Sequence, residues 1–205
     1  EGWRLEILDA GEFEDPRYRA NPADRCFYCK TNLYAGIARA TRARIVSGTN
    51  RDDLDDWRPG LKAAAEHGVR HPYVEAGIDK AGVRAIARLL GLGEVAELPA
   101  SPCLSSRVET GIAIDPGELA LIHAVETLVG AELKAATVRC RVRRAGLVVE
   151  LDGESFAALE PTRRVALAAR IAALPGGDRA LSFAPYRMGS AFLRPATAAP
   201  GQAHV

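Results

Sequence analysis

The chain has 205 residues, enough for one large domain or two small ones. Apolar residues make up 48% and charged residues 26%, the balance of an ordinary globular protein, and a net charge of +1 argues against nucleic-acid binding through bulk charge. No apolar run approaches the ~20 residues of a membrane helix, no signal peptide is visible, and four cysteines are too few for a secreted disulfide scaffold, so a reducing cytoplasm is expected.

In chain order, Trp3 to Asp9 reads as a short strand, followed by a loop through Asp15-Pro16 and Asn21-Pro22. Thr31 to Arg42 suits a helix with Leu33, Ile37 and Ala38 on one face. Ala43 to Ser47 reads as a buried strand ending in Gly48-Thr49-Asn50. This strand–helix–strand order predicts an α/β layer with a parallel sheet. Gly48 to Asp53 then sits where such sheets place functional loops, beyond a strand's carboxyl end.

Gly60 to His67 is predicted helical, and Asp79 caps a helix running to about Leu90. Glu97 to Gly111 reads as a loop. Asp115-Pro116-Gly117-Glu118 is a strong helix start: an N-cap aspartate, proline at the first helical position and glutamate in the third. Leu119, Ile122, Val125, Leu128 and Val129 form the apolar face of that helix. Strands are predicted over Thr137–Arg143 and Gly146–Leu151, a helix over Pro161–Leu174 and a strand near Arg179–Ala184. A domain boundary is expected near Gly111, and the alanine- and proline-rich residues 195–205 are expected to be mobile.

Cys26 and Cys29 form a pair spaced by two residues in Arg25-Cys26-Phe27-Tyr28-Cys29-Lys30. Such thiolate pairs serve iron–sulfur clusters, zinc or dithiol redox work. Zinc would need two further ligands, for which His67 and His71 are candidates. Cys103, in Pro102-Cys103-Leu104-Ser105-Ser106-Arg107, sits among hydroxyl and guanidinium donors suited to a phosphate or an oxyanion. Arg107 would favour its thiolate form.

In Arg139-Cys140-Arg141-Val142-Arg143 the residue types alternate with the strand period, so Cys140 and Val142 are expected to face the core. Arg139, Arg141 and Arg143 would then form an unbalanced cationic row on the other face, suited to an anionic ligand. Gly48, Thr49, Asn50 and Asp53 belong to a glycine turn with adjacent carboxylates that can approach a nucleotide or help hold Mg²⁺. Glu126 reads either as an exposed helix residue or as a metal-binding carboxylate.

Together these stretches resemble the LarE-type ATP-dependent sulfur transferases of the PP-loop ATP pyrophosphatase superfamily. Besides the cysteine motifs, the matching residues are Gly48 to Asp53, Asp56 to Gly60, Glu75-Ala76-Gly77, Arg139-Cys140-Arg141, Glu150 and Tyr186-Arg187-Met188-Gly189-Ser190. The resemblance implies a parallel-sheet PP-loop domain of the adenine nucleotide alpha hydrolase type, incomplete at its N-terminus, over residues 1–111. It also implies a smaller C-terminal α+β domain for substrate binding or oligomerisation over residues 112–194.

The implied activity is adenylylation of a carboxylate of pyridinium-3,5-biscarboxylic acid mononucleotide with ATP and Mg²⁺, followed by replacement of its oxygen with sulfur, in nickel-pincer cofactor biosynthesis. Three retained cysteines imply the branch in which Cys26, Cys29 and Cys103 hold a 4Fe–4S cluster, Cys103 standing where the other branch sacrifices its sulfur. Arg139 and Arg141 match the family's substrate-phosphate arginines, Ser106, Arg107 and Glu150 match active-site residues, and Glu126 matches a metal-binding glutamate. The family suggests a homo-oligomer, with no membrane and no nucleic acid as partner.

The family's ATP loop, of the form Ser-Gly-Gly-x-Asp-Ser, is absent from these residues. The chain starts at Glu1 and its only methionine is Met188, so that loop is expected to precede Glu1, and the fragment alone is not expected to turn over ATP. Three rival readings remain: a PP-loop tRNA thiolase with a cluster, a non-catalytic zinc module, and an ATP-dependent amide synthetase that would not need the thiols.

Overall fold

The computed structural model describes residues 2 and 4–193, which divide into two units. The first takes the described residues up to Tyr18 together with Asp24–Ser101, and the second takes Arg19–Ala23 with the described residues from Pro102 onward. The main stretch of the second unit starts at Pro102, so the Cys103–Arg107 loop belongs with the arginine strand. The expected mobile tail, residues 195–205, lies outside the described residues. No helix among the described residues is long and apolar enough to cross a membrane.

The first unit is helical: α1 (Pro16–Arg19), α2 (Arg25–Ala40), α3 (Pro59–Glu66), α4 (Pro72–Glu75), α5 (Lys80–Leu89) and α6 (Gly93–Glu97). Its core is small. Tyr34 of α2 packs with Ala63, Ala64 and Val69, and Phe27, Leu33, Ile37 and Ile45 surround them. Proline opens α3 and α4, where its missing N–H costs no intrahelical bond. Asp79 caps α5, its side chain accepting from the Gly82 N–H at 2.7 Å. Asp15 accepts from the Arg17 guanidinium and from Asn32 Nδ2, and these bonds hold its carboxyl well below the usual carboxylate range.

Two expected strands do not form here. Residues 4–9 of the first pair in no sheet among the described residues, with Leu5 81% and Ile7 90% exposed, and Trp3 lies outside the described residues. In the second, Val46 makes one parallel bridge to Arg70 and is 59% exposed. The apolar composition was right for a strand, but a strand also needs lateral partners for its N–H and C=O groups. Among the described residues this segment finds only the Ser47 N–H to Arg70 carbonyl and Arg70 N–H to Ile45 carbonyl bonds, both 3.0 Å. The architecture is mixed α/β, and its three-stranded sheet lies in the second unit.

That unit runs α7 (Pro116–Leu133), β1 (Val138–Arg143), β2 (Gly146–Leu151), α8 (Gly153–Ala157), α9 (Pro161–Ala172) and β3 (Leu181–Pro185). The predicted cap of α7 is present, Asp115 Oδ1 accepting from the Gly117 N–H at 2.8 Å. β1 and β2 form an antiparallel hairpin in which Arg139 faces Glu150 and Cys140 faces Val149. Gly146 turns the chain with φ of 127°, and a Cβ there would lie 2.2 Å from the Ala180 carbonyl oxygen, so the position requires glycine.

β3 pairs with β2 in parallel, with α8 and α9 in the connection between them. Ile122, Val125 and Val129 of α7 pack against Cys140, Val142, Leu147, Val149 and Leu151 of the sheet, with Leu167 and Ile171 of α9 closing the core. The sheet thus has one apolar face under the helices. Its other face carries the arginines. Asn21 is fully buried and donates to the carbonyls of Glu109 and Ile112 at 2.9 Å each, fixing the chain that leads into α7.

Candidate functional site

A 3-10 turn over Leu104–Arg107 follows Cys103, whose extended backbone (φ −57°, ψ 153°) ends in a carbonyl that accepts from the Ser106 N–H at 3.0 Å. Cys103 is exposed, whereas Arg107 is 3% exposed. Beneath the turn, Arg107 Nε and Nη2 form a fork on Glu126 of α7 at 2.9 and 3.0 Å. Its Nη1 donates to the carbonyls of Pro102 (2.6 Å) and Cys103 (3.0 Å) and to Ser106 Oγ (3.0 Å). Arg107 therefore turns inward and holds the loop from below.

The arginine row on β1 is present, and Cys140 and Val142 are buried on the opposite face. The expectation of an unbalanced row is corrected. Arg141 and Glu150 are each 4% exposed by side chain and pair at 2.9 Å. Arg143 pairs with Glu109 at 3.3 Å and with Glu150 at 3.5 Å. These carboxylates come from β2 and from the loop before α7, so the neutralising charge is tertiary and invisible along β1.

Arg141 also donates through Nη1 to the Ser106 carbonyl (3.2 Å) and through Nη2 to the Arg187 carbonyl (3.3 Å), tying the Cys103 loop to the segment after β3. Ser190 Oγ donates to Glu150 Oε1 at 2.6 Å. A cavity of about 420 Å³ is lined by Arg143, Val148, Glu150, Arg187, Met188 and Ser190.

Arg139 is half-buried, and its Nη1 donates to the Val138 carbonyl at 2.7 Å. Burial pulls its guanidinium below the ordinary arginine range, and the nearby positive charge of Arg107 adds to this while Glu126 opposes it. Around Ser106, Arg107 is paired with Glu126 and Arg141 with Glu150.

The cysteines divide by environment. Cys26 and Cys29 fall inside the first turns of α2, which begins at Arg25 and not at Thr31, and both are half-buried. At i and i+3 of a helix they share a face. Cys103 belongs to the second unit. None of the four is in a disulfide. Among the described residues no group of three His, Cys, Asp or Glu side chains is arranged to hold a metal ion. His71 accepts or donates through Nδ1 to Ser47 Oγ at 2.7 Å, and His67 lies 5.9 Å from the Tyr34 ring. Both Glu126 oxygens are taken by hydrogen bonds, Oε1 also accepting from the Cys140 N–H at 2.9 Å.

Burial pushes the Cys140 thiol up to about 12, with the Glu126 charge adding to it. In the unfolded chain the same thiol ionises near its ordinary value of about 8.5. The wild type is therefore expected to lose stability as pH rises from about 9 to about 12, because only the unfolded state releases the proton there. Relative to Cys140→Ala the extra loss is about 1.4 kcal/mol per pH unit at most. Urea unfolding at stepped alkaline pH checks this, and parallel slopes for the two proteins would contradict it.

The Gly48–Asp53 loop is built as a capping box. Asn50 Oδ1 accepts from the Asp52 N–H at 3.0 Å, Asp53 Oδ2 accepts from the Asn50 N–H at 3.0 Å, and Asp53 Oδ1 pairs with Arg58 at 2.8 Å. Thr49 Oγ1 shares a hydrogen bond with Ser47 Oγ at 2.9 Å. A Cβ at Gly48 would meet no atom within 4 Å, so this backbone is open to close approach. Glu109, part of the sheet-face network, was not among the sequence-predicted site residues. An isolated glutamate in a loop gives no periodic or spacing signal.

No protein-family model matches the chain. It is 40% identical over 125 residues to an uncharacterised protein of Synechocystis sp., covering 59% of this chain and 46% of that one. It is 33% identical over 141 residues to the pyridinium-3,5-bisthiocarboxylic acid mononucleotide synthase of Lactiplantibacillus plantarum, covering 67% of this chain and 50% of the synthase. An uncharacterised protein of Methanocaldococcus jannaschii is 28% identical over 138 residues, covering 65% and 53%. The chain thus spans about half the length of the curated relatives it matches.

Proposed function

We propose that this chain is part of a LarE-type, PP-loop ATP-dependent sulfur transferase, whose whole protein converts a carboxylate of pyridinium-3,5-biscarboxylic acid mononucleotide to a thiocarboxylate. The observation that carries the reading is the 33% identity over two thirds of the chain with a synthase of the corresponding bisthiocarboxylic acid mononucleotide. The arrangement around Ser106 supports it. An exposed thiol stands on the loop that Arg107 and Arg141 anchor, and the guanidinium forks of the β1 arginines suit a mononucleotide phosphate.

The chemistry follows from the leaving group. A carboxylate oxygen attacks the α-phosphorus of ATP and pyrophosphate departs with the electrons of the broken P–O bond. A sulfur nucleophile then attacks the acyl carbon, and AMP departs with the electrons of the C–O bond. Mg²⁺ bound with ATP would supply charge neutralisation of the phosphates. Gly48, Thr49, Asn50 and Asp53 are assigned to the nucleotide, with the backbone at Gly48 making the close approach.

Cys26 and Cys29 supply two thiolates one turn apart, the donor chemistry of a 4Fe–4S site, and Cys103 would be the third ligand. When bound, such a cluster supplies the sulfur donor. Arg139 and Arg141 would bind and orient the substrate phosphate, with Glu150 holding Arg141 in place.

The test uses the whole protein, anaerobically purified, with ATP, Mg²⁺ and the biscarboxylic acid mononucleotide. Pyrophosphate, AMP and a product heavier by the exchange of oxygen for sulfur are expected. Pyrophosphate release that depends on tRNA and ignores the mononucleotide would replace this reading with that of a tRNA thiolase. A bound zinc with no cluster chromophore would remove the iron–sulfur assignment.

A further inference from the structure

We propose that Glu126 is a positioning residue for Cys103, acting through Arg107, and not a ligand of a divalent metal. The inference rests on the reading of Cys103 as part of the sulfur-donating site but not on the identity of the substrate. Glu126 projects from α7, and its carboxylate takes both prongs of the Arg107 fork. The other end of that guanidinium reaches the carbonyl before Cys103 and the carbonyl of Cys103 itself. Those two carbonyls bracket the Cys103 backbone, so the link fixes the direction in which its side chain leaves the loop.

The burial pattern agrees. The guanidinium is sealed beneath the turn while the thiol it supports is exposed. Glu126 Oε1 also accepts from the Cys140 N–H, which anchors the carboxylate to β1 at the start of the sheet. Carboxylate, guanidinium and loop form one rigid strut from helix to thiol. A metal at Glu126 would have to compete with three hydrogen bonds, two of them to a buried cation.

Glu126→Gln keeps the shape but removes the charge and one acceptor facing the fork. Arg107→Lys keeps the charge but removes the fork. In both variants, amide exchange at Ser106 and Val108, whose acceptors are the Cys103 and Ser105 carbonyls, is expected to rise by about tenfold or more, while β1 and β2 stay protected. In the whole protein, kcat for sulfur transfer is expected to fall at unchanged KM, and Glu126→Asp to recover part of it.

Loss of protection across β1 and β2 as well would overturn the proposal in favour of a general core role. Unchanged exchange in the loop would overturn it outright. Calorimetric titration with Mn²⁺ supplies the other arm: binding that Glu126→Gln abolishes would restore the metal-ligand reading. Exchange and titration need no substrate, so a protein without sulfur-transfer activity would end the functional reading and leave this result standing.

Discussion

Glu150→Ala is expected to lower folding stability by about 3–5 kcal/mol, the cost of breaking a buried ion pair by removing one partner. Glu150 lies in the central strand β2, and its carboxylate takes Arg141 Nε at 2.9 Å and Ser190 Oγ at 2.6 Å, with Arg143 within 3.5 Å. Without it, Arg141 keeps, among the described residues, the neutral carbonyls of Ser106 and Arg187 and the Tyr186 ring as partners inside a nearly sealed site. Water cannot replace the lost charge there, so the arginine bears an uncompensated desolvation cost.

Arg141→Met combined with Glu150→Leu removes both charges and fills similar volume, and this pair is expected to recover more than half of the loss. The double variant should nevertheless be poor in the proposed reaction, because Arg141 also ties the Cys103 loop to the segment after β3. Urea unfolding of the full chain measures the first claim. A loss below about 1 kcal/mol for Glu150→Ala would mean the site is wetter than its exposure indicates.

How far the fold could be read in advance depended on whether the information was local. The strands β1 and β2 and the cap of α7 were legible because alternation and an aspartate–proline start are properties of neighbouring residues. Cys140 was legible as core for the same reason. The partners of the arginine row were not, since Glu109 and Glu150 reach β1 only through the folded sheet.

In the first unit the residues around Val46 have strand composition, but composition does not supply a neighbouring strand. The early start of α2 was missed for a different reason. Asp24 makes no side-chain cap bond there, and cysteine and aromatic residues are middling helix formers, so nothing local marks Arg25 as the first residue. The inward turn of Arg107 is the most instructive miss. Its neighbours Ser105 and Ser106 suggested an anion pocket, yet its own anion is Glu126, supplied from α7.

Cys103→Ser is expected to stop sulfur transfer by the whole protein, by on the order of 10³-fold or more, while the release of pyrophosphate and AMP continues. The two half-reactions call on different groups. Adenylylation needs the substrate carboxylate, ATP and Mg²⁺, and the serine hydroxyl changes none of them. The second half needs a sulfur nucleophile at the acyl carbon, and a neutral hydroxyl neither attacks readily at pH 7 nor carries sulfur. Water then hydrolyses the acyl-adenylate, so ATP is consumed and the starting carboxylate returns.

Cys140→Ser provides the contrast, since that thiol is buried, holds its proton to about 12 and lies on the face of β1 away from the arginines. Its thio product should persist after correction for any loss of folded protein. Following AMP by chromatography and the thiocarboxylate by mass resolves the two halves in one reaction. Thio product from Cys103→Ser at a tenth or more of the wild-type rate would exclude Cys103 from the sulfur path, whatever its place on the Arg107 loop.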